Sequence, residues 1–256
     1  MKIALNFNSI GIKGEPLVML HGWGWHSGIW DSLLVDLSKK FQLFMIDLPG
    51  YGKSSLLTIS YNSDEIEHEI LKIVPEKASW LGWSLGGMLA LDIAAKYPER
   101  VNHLVTVASS PKFISDSEWP GMSTVTIDKF SNALIDNYEN TLIQFLELQL
   151  RGGANNVSLF EELKIQLLST NKTSQIALMG GLEILRNLDL RDSLRGLKCK
   201  SLHIFGSHDT LVPAKVASLV QSLSPRAQCE VIKRAGHMPF LSQKQIFLDL
   251  IFKFFS

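Results

Sequence analysis

Between residues 1 and 110, short apolar runs alternate with stretches of helical spacing. Residues 16–20, 41–46, 78–81 and 101–108 are mainly apolar runs with the length and composition of buried strands. Between them, residues 30–37 space their apolar side chains as a helix does. Ser63 is placed to cap a helix running to about Ile73, and residues 88–95 read as a helix that stops before Pro98. From about Pro111 to Asp189 the rhythm changes. Apolar residues recur at helical spacing, with Leu142, Phe145, Leu146 and Gln149 on one face and Phe160, Leu163, Leu167 and Leu168 on another. No strand signal interrupts them. The alternation resumes at 200–205 and 229–232 and closes in a helix from about Gln243 to Phe254. This order predicts an α/β fold, a mostly parallel sheet with helices on both faces, and an inserted helical cap. The expected division is a core of residues 1–110 and 190–256 with a lid of residues 111–189.

One turn in this frame carries chemistry. Gly82-Trp83-Ser84-Leu85-Gly86 fits G-x-S-x-G between a strand and a helix. A serine there sits in a backbone conformation that side chains avoid, and its neighbours two residues away must be small so that strand and helix can approach. The bare pattern also fits a glycine-rich turn with an ordinary serine; the flanking strand and helix point to a nucleophile. A serine hydroxyl needs a base, and the base an orienting acid. In open parallel sheets such groups gather at the carboxyl ends of strands. Asp209 follows the strand 200–205, and His237 follows the strand 229–232. Alone, Asp209 reads as a turn cap and His237 as a loop histidine. The order Ser84, Asp209, His237 is that of α/β-hydrolase triads. Oxyanion donors are then expected at the Leu85 N–H and, from the loop His21-Gly22-Trp23-Gly24, at the Trp23 N–H. His21 itself reads as a structural loop histidine.

Composition narrows the classes. The chain has 256 residues, 46% of them hydrophobic and 20% charged, an ordinary globular balance. Its net charge is +0 and no basic run occurs, which argues against a nucleic-acid surface. No His/Asp/Glu spacing suits a metal, so neither metal nor cofactor is expected. Cys199 and Cys229 fit no disulfide framework and read as buried free thiols of a reducing compartment. No run approaches the ~18 apolar residues of a membrane span, and residues 1–8 lack a leader pattern, so a cytoplasmic monomer away from membranes is expected.

Beyond the triad, the chain resembles the family of pimeloyl-(acyl-carrier protein) methyl ester esterases. The marks are Leu20-His21-Gly22-Trp23-Gly24, Asp47-Leu48-Pro49-Gly50-Tyr51-Gly52, Trp80–Gly87 and residues 105–111. Glu118-Trp119-Pro120-Gly121 and Gly180-Gly181-Leu182-Glu183-Ile184-Leu185 are more specific. The resemblance implies a serine carboxylesterase of biotin synthesis that removes methanol from a pimeloyl chain on acyl-carrier protein. It implies Ser84 as nucleophile, His237 as base, Asp209 as acid and Trp23 and Leu85 as oxyanion donors. Phe145, Leu146, Glu147, Leu148 and Gln149 would contact the acyl chain, Phe145 as an apolar wall and Gln149 as a polar handle. One departure stands out. Where the family's best-known member grips the acidic carrier with cap arginines, this chain has Asn140, Gln144, Val157 and Glu161. A docking mode through Lys112 or Arg151 is the alternative expectation. The same triad would serve a generalist short-chain esterase or a lactone or C–C hydrolase. A non-catalytic receptor on the same scaffold is the reading from a different class.

Overall fold

A computed structural model describes residues 5–57, 59–153, 157–169 and 173–256. Seven strands form one sheet in the order β1-β3-β2-β4-β5-β6-β7. They are β1 (Phe7–Ile10), β2 (Glu15–Leu20), β3 (Phe41–Ile46), β4 (Ala78–Trp83), β5 (Val101–Val107), β6 (Lys200–Gly206) and β7 (Gln228–Ile232). From β3 to β7 every pairing is parallel; only β1 runs antiparallel to β3. β2, β4 and β6 are buried along most of their length on both faces, which is why they read as unbroken apolar runs.

The helices among the described residues are α1 (Leu34–Leu37), α2 (Ser63–Leu71), α3 (Leu85–Lys96), α4 (Thr124–Asp136), α5 (Tyr138–Leu150), α6 (Val157–Ser169), α7 (Gln175–Asn187), α8 (Arg191–Arg195), α9 (Val216–Leu223), α10 (Pro239–Ser242) and α11 (Lys244–Phe254). α4 to α8 lie between β5 and β6, α4 to α7 within residues 111–189. The chain leaves and returns side by side: Lys112 bridges Asp189 antiparallel, and Leu190 N donates to Pro111 O at 2.7 Å.

Several details differ from the sequence expectation. The stretch 30–37 is a 3-10 turn, Ser27–Leu33, running into the single turn of α1. His26 Nδ1 accepts from Gly28 N at its start. α2 is capped by Asn62 rather than Ser63, its Oδ1 accepting from Glu65 N. It ends at Leu71, before Pro75 bars helical geometry at the preceding residue. β1 had no sequence signal because all four of its residues are exposed, so no inside–outside alternation marks it. On α6, Leu163 and Leu167 are buried but Leu168 is 38% exposed. Cys199 and Cys229 are free but only half-buried, and burial still pushes both thiols up to about 11.

Candidate active site

Ser84 stands between β4 and α3 with φ 53° and ψ −117°, a conformation that costs a non-glycine residue free energy. The surrounding glycines make that turn possible. A Cβ on Gly82 would lie 2.2 Å from Gly86 O, and one on Gly86 would lie 2.5 Å from both Leu20 O and His21 O. Any side chain there would drive α3 off β4 and β2. The turn is held by Ser84 N donating to Val107 O at 2.9 Å and by Ser109 Oγ donating to Ser84 O at 2.8 Å.

His237 Nε2 lies 3.0 Å from Ser84 Oγ. On its other side His237 Nδ1 lies 2.7 Å from Asp209 Oδ2. Asp209 Oδ1 accepts from Leu211 N at 2.8 Å and Val212 N at 3.0 Å, so both carboxylate oxygens are engaged. All three residues are buried. Asp209 and His237, 125 and 153 positions beyond Ser84, thus converge with it at the carboxyl edge of the sheet. With Asp209 accepting at Nδ1, the imidazole nitrogen facing Ser84 is free to take a proton.

Leu85 supplies the first amide of α3, one of the N–H groups that a helix leaves without an internal acceptor. Trp23 lies wholly buried in the loop after β2. Its amide makes no hydrogen bond among the described residues. His21 ties that loop to its neighbour: Leu48 N donates to Nε2 at 3.0 Å, while Nδ1 lies 2.8 Å from Gly22 O. Burial pulls its pKa down to about 4, so it stays neutral and structural.

The segment 145–149 of α5 divides by face. Phe145, Leu146 and Gln149 are buried, Leu148 is half-buried and Glu147 is exposed. The Phe145 ring meets Trp23 edge-on with centroids 4.7 Å apart. Gln149 Oε1 accepts from Trp25 Nε1 at 2.8 Å, and Gln149 O accepts from His237 N at 3.2 Å. Because an indole N–H can only donate, the amide orientation is fixed, and Gln149 Nε2 is left buried without a partner among the described residues. Gln149 also lines a cavity of about 110 Å³ together with Leu150, Gly236, Met238 and Leu241. Two tryptophans complete the surroundings, Trp25, which no motif marks, and Trp83 of the serine turn. Trp25 holds Gln149, and Trp83 Nε1 donates to His237 O at 2.8 Å.

Such a fold and site define an α/β hydrolase, and the profile of the alpha/beta hydrolase fold family matches residues 15–243. The chain is 41% identical over 248 residues to the pimeloyl-(acyl-carrier protein) methyl ester esterase of Hamiltonella defensa subsp. Acyrthosiphon pisum (strain 5AT), covering 97% of this chain and 95% of that protein. It is 39% identical over 251 residues to the esterase of the same name from Edwardsiella ictaluri (strain 93-146), covering 98% and 97%. The chain belongs to this family of esterases and is a carboxylic ester hydrolase. Among solved structures, an esterase from Exiguobacterium antarcticum superposes with a TM-score of 0.88 at 23% identity over 98% of this chain and 96% of that one, a likeness of fold.

Proposed function

We propose that this chain hydrolyses the methyl ester of a pimeloyl chain carried on acyl-carrier protein, with Ser84 as nucleophile, His237 as general base and Asp209 as its orienting acid. The observation that carries the reading is the 3.0 Å and 2.7 Å relay from Ser84 through His237 to Asp209, in a chain about 40% identical to esterases of that name. Ser84 Oγ attacks the ester carbonyl as His237 Nε2 takes its proton. The Trp23 and Leu85 N–H groups receive the oxyanion. The imidazolium, steadied by Asp209, protonates departing methanol. Water activated by the same histidine then releases the pimeloyl acid from Ser84.

Residues 111–189 serve in this reading as a lid over the site, and the Lys112–Asp189 bridge at their neck supports that division. Phe145 and Leu146 form the apolar wall. The unpartnered Gln149 Nε2 offers a donor to the polar end of the chain. Carrier-protein docking falls to Arg151, which is exposed and makes no ion pair among the described residues. Lys112 is instead engaged by Asp116 at 2.5 Å. No described helix is long and apolar enough to cross a membrane; a cytoplasmic setting fits the proposed substrate. Asn140, Gln144 and Glu161, all exposed on α5 and α6, favour the second reading, a generalist for small free esters.

Complementation tests the proposal. A strain lacking its pimeloyl ester esterase should grow without biotin when this chain is expressed. Failure of growth despite good expression would favour the generalist.

A further inference from the structure

The cap helix α7 is tied to the loop that carries Trp23. The Trp23 indole Nε1 donates to Leu178 O at 2.8 Å, and the Tyr51 hydroxyl donates to Ala177 O at 3.1 Å. Tyr51 is wholly buried and meets His21 edge-on with ring centroids 5.2 Å apart. Ser174 N, at the start of α7, donates to Gly50 O at 2.7 Å. Three segments that are distant in sequence therefore share one polar seam, with the Tyr51 hydroxyl at its centre. The approach is close: a Cβ on Gly181 would lie 2.7 Å from Trp23 Cδ1 and 2.9 Å from the Tyr51 hydroxyl oxygen.

Of the residues in this seam, only Trp23 is assigned a part in the reaction. We infer that Tyr51 is a positioning residue for the oxyanion loop, coupling the direction of the Trp23 N–H to the seat of cap helix α7. The inference rests on the esterase reading above. Gly24 has φ +81°, which glycine adopts freely, so the loop can swing there unless the Trp23 indole, bonded to α7, holds it. Without the Tyr51 hydroxyl α7 can shift on its seat, and the movement would pass through the Trp23 indole to the Trp23 peptide. Oxyanion donors act on charge that exists only in the transition state. Misplacing one lowers kcat and leaves ground-state binding alone.

Tyr51→Phe keeps the ring and removes the tether. With p-nitrophenyl butyrate, kcat should fall roughly tenfold or more, short of the ~100- to 1000-fold loss on deleting an oxyanion donor outright. KM should stay within about twofold. Affinity for phenylboronic acid, which forms a tetrahedral adduct with the serine, should fall by the same factor as kcat, while affinity for butyrate holds. Gly181→Ala, which keeps the hydroxyl but pushes α7 off the seam, should reproduce the split and decides the matter if Tyr51→Phe does not fold. Wild-type turnover matched by both variants, or a loss confined to KM, overturns the coupling alone. A wild-type protein with no ester turnover overturns the esterase reading and the coupling with it.

Discussion

At Gln149 the side-chain oxygen is engaged and the nitrogen is not. Gln149→Leu should strand the Trp25 indole N–H and cost about 1–3 kcal/mol of stability. It should also raise KM for dimethyl pimelate more than for methyl butyrate, which has no polar far end. Equal KM changes for the two esters would remove Gln149 from the substrate site. Glu147→Ala, on the exposed side of the same helix, should leave both esters within about twofold of wild type. Arg151→Glu should weaken turnover of the carrier-bound ester by about tenfold at low salt and spare the free ester; an unchanged carrier-bound rate would release Arg151 from docking. At this scale the juxtaposition of Ser84, His237 and Asp209 was legible, because acyl transfer fixes both the residue types to look for and the loops that can hold them. The Trp25–Gln149 bond was not: its partners stand 124 positions apart with no pattern linking them. Glu147 came with the segment that the family resemblance implies, whereas α5 leaves it exposed and buries Phe145 and Gln149.

The elements that matter most are β4 and α3, joined at Ser84. Gly82→Ala or Gly86→Ala would force a Cβ into backbone 2.2–2.5 Å away and should cost at least about 3 kcal/mol, read as a lowered denaturant midpoint. Wild-type stability in either variant would show that the strand and helix can separate without loss. Buried parallel strands were easy to read because both faces are apolar. β1 was invisible because both its faces meet water, and the 27–33 turn read as helix because 3-10 and α spacings coincide over so few residues. The caps were misplaced by one residue at α2, where Asn62 and Ser63 are both competent and only the fold chooses.

Across the molecule, buried titratable groups set a pH dependence of stability. Burial pulls His21 and His203 down to about 4 from an ordinary 6.5. Between those values the unfolded chain binds more protons than the folded one, so stability falls as pH drops from 6.5 toward 4, by up to about 3 kcal/mol per histidine. Glu67, buried between Asp92 and Lys96, works the other way. Burial and the neighbouring Asp92 carboxylate push it from 4.5 up to about 9, so the folded state holds its proton and stability falls as pH rises between those values; the two histidines outweigh it up to pH 6.5 and it dominates above. The thermal midpoint should therefore peak near pH 6.5, and His203→Gln should flatten the acid side; a midpoint still rising at pH 9 would contradict this account. The alternation of strands and helices made the parallel sheet and its inserted helices legible, whereas the seat of α7 on the loop carrying Trp23 came only from packing. The central claim, that Ser84 opens a carrier-bound methyl ester, is met most directly by methanol release from methyl pimeloyl acyl-carrier protein. Wild type should release methanol stoichiometrically, with Ser84→Ala slower by ~10⁴-fold or more. Equal rates from the two proteins, or a wild type that cleaves free esters but leaves the carrier-bound one intact, would contradict it.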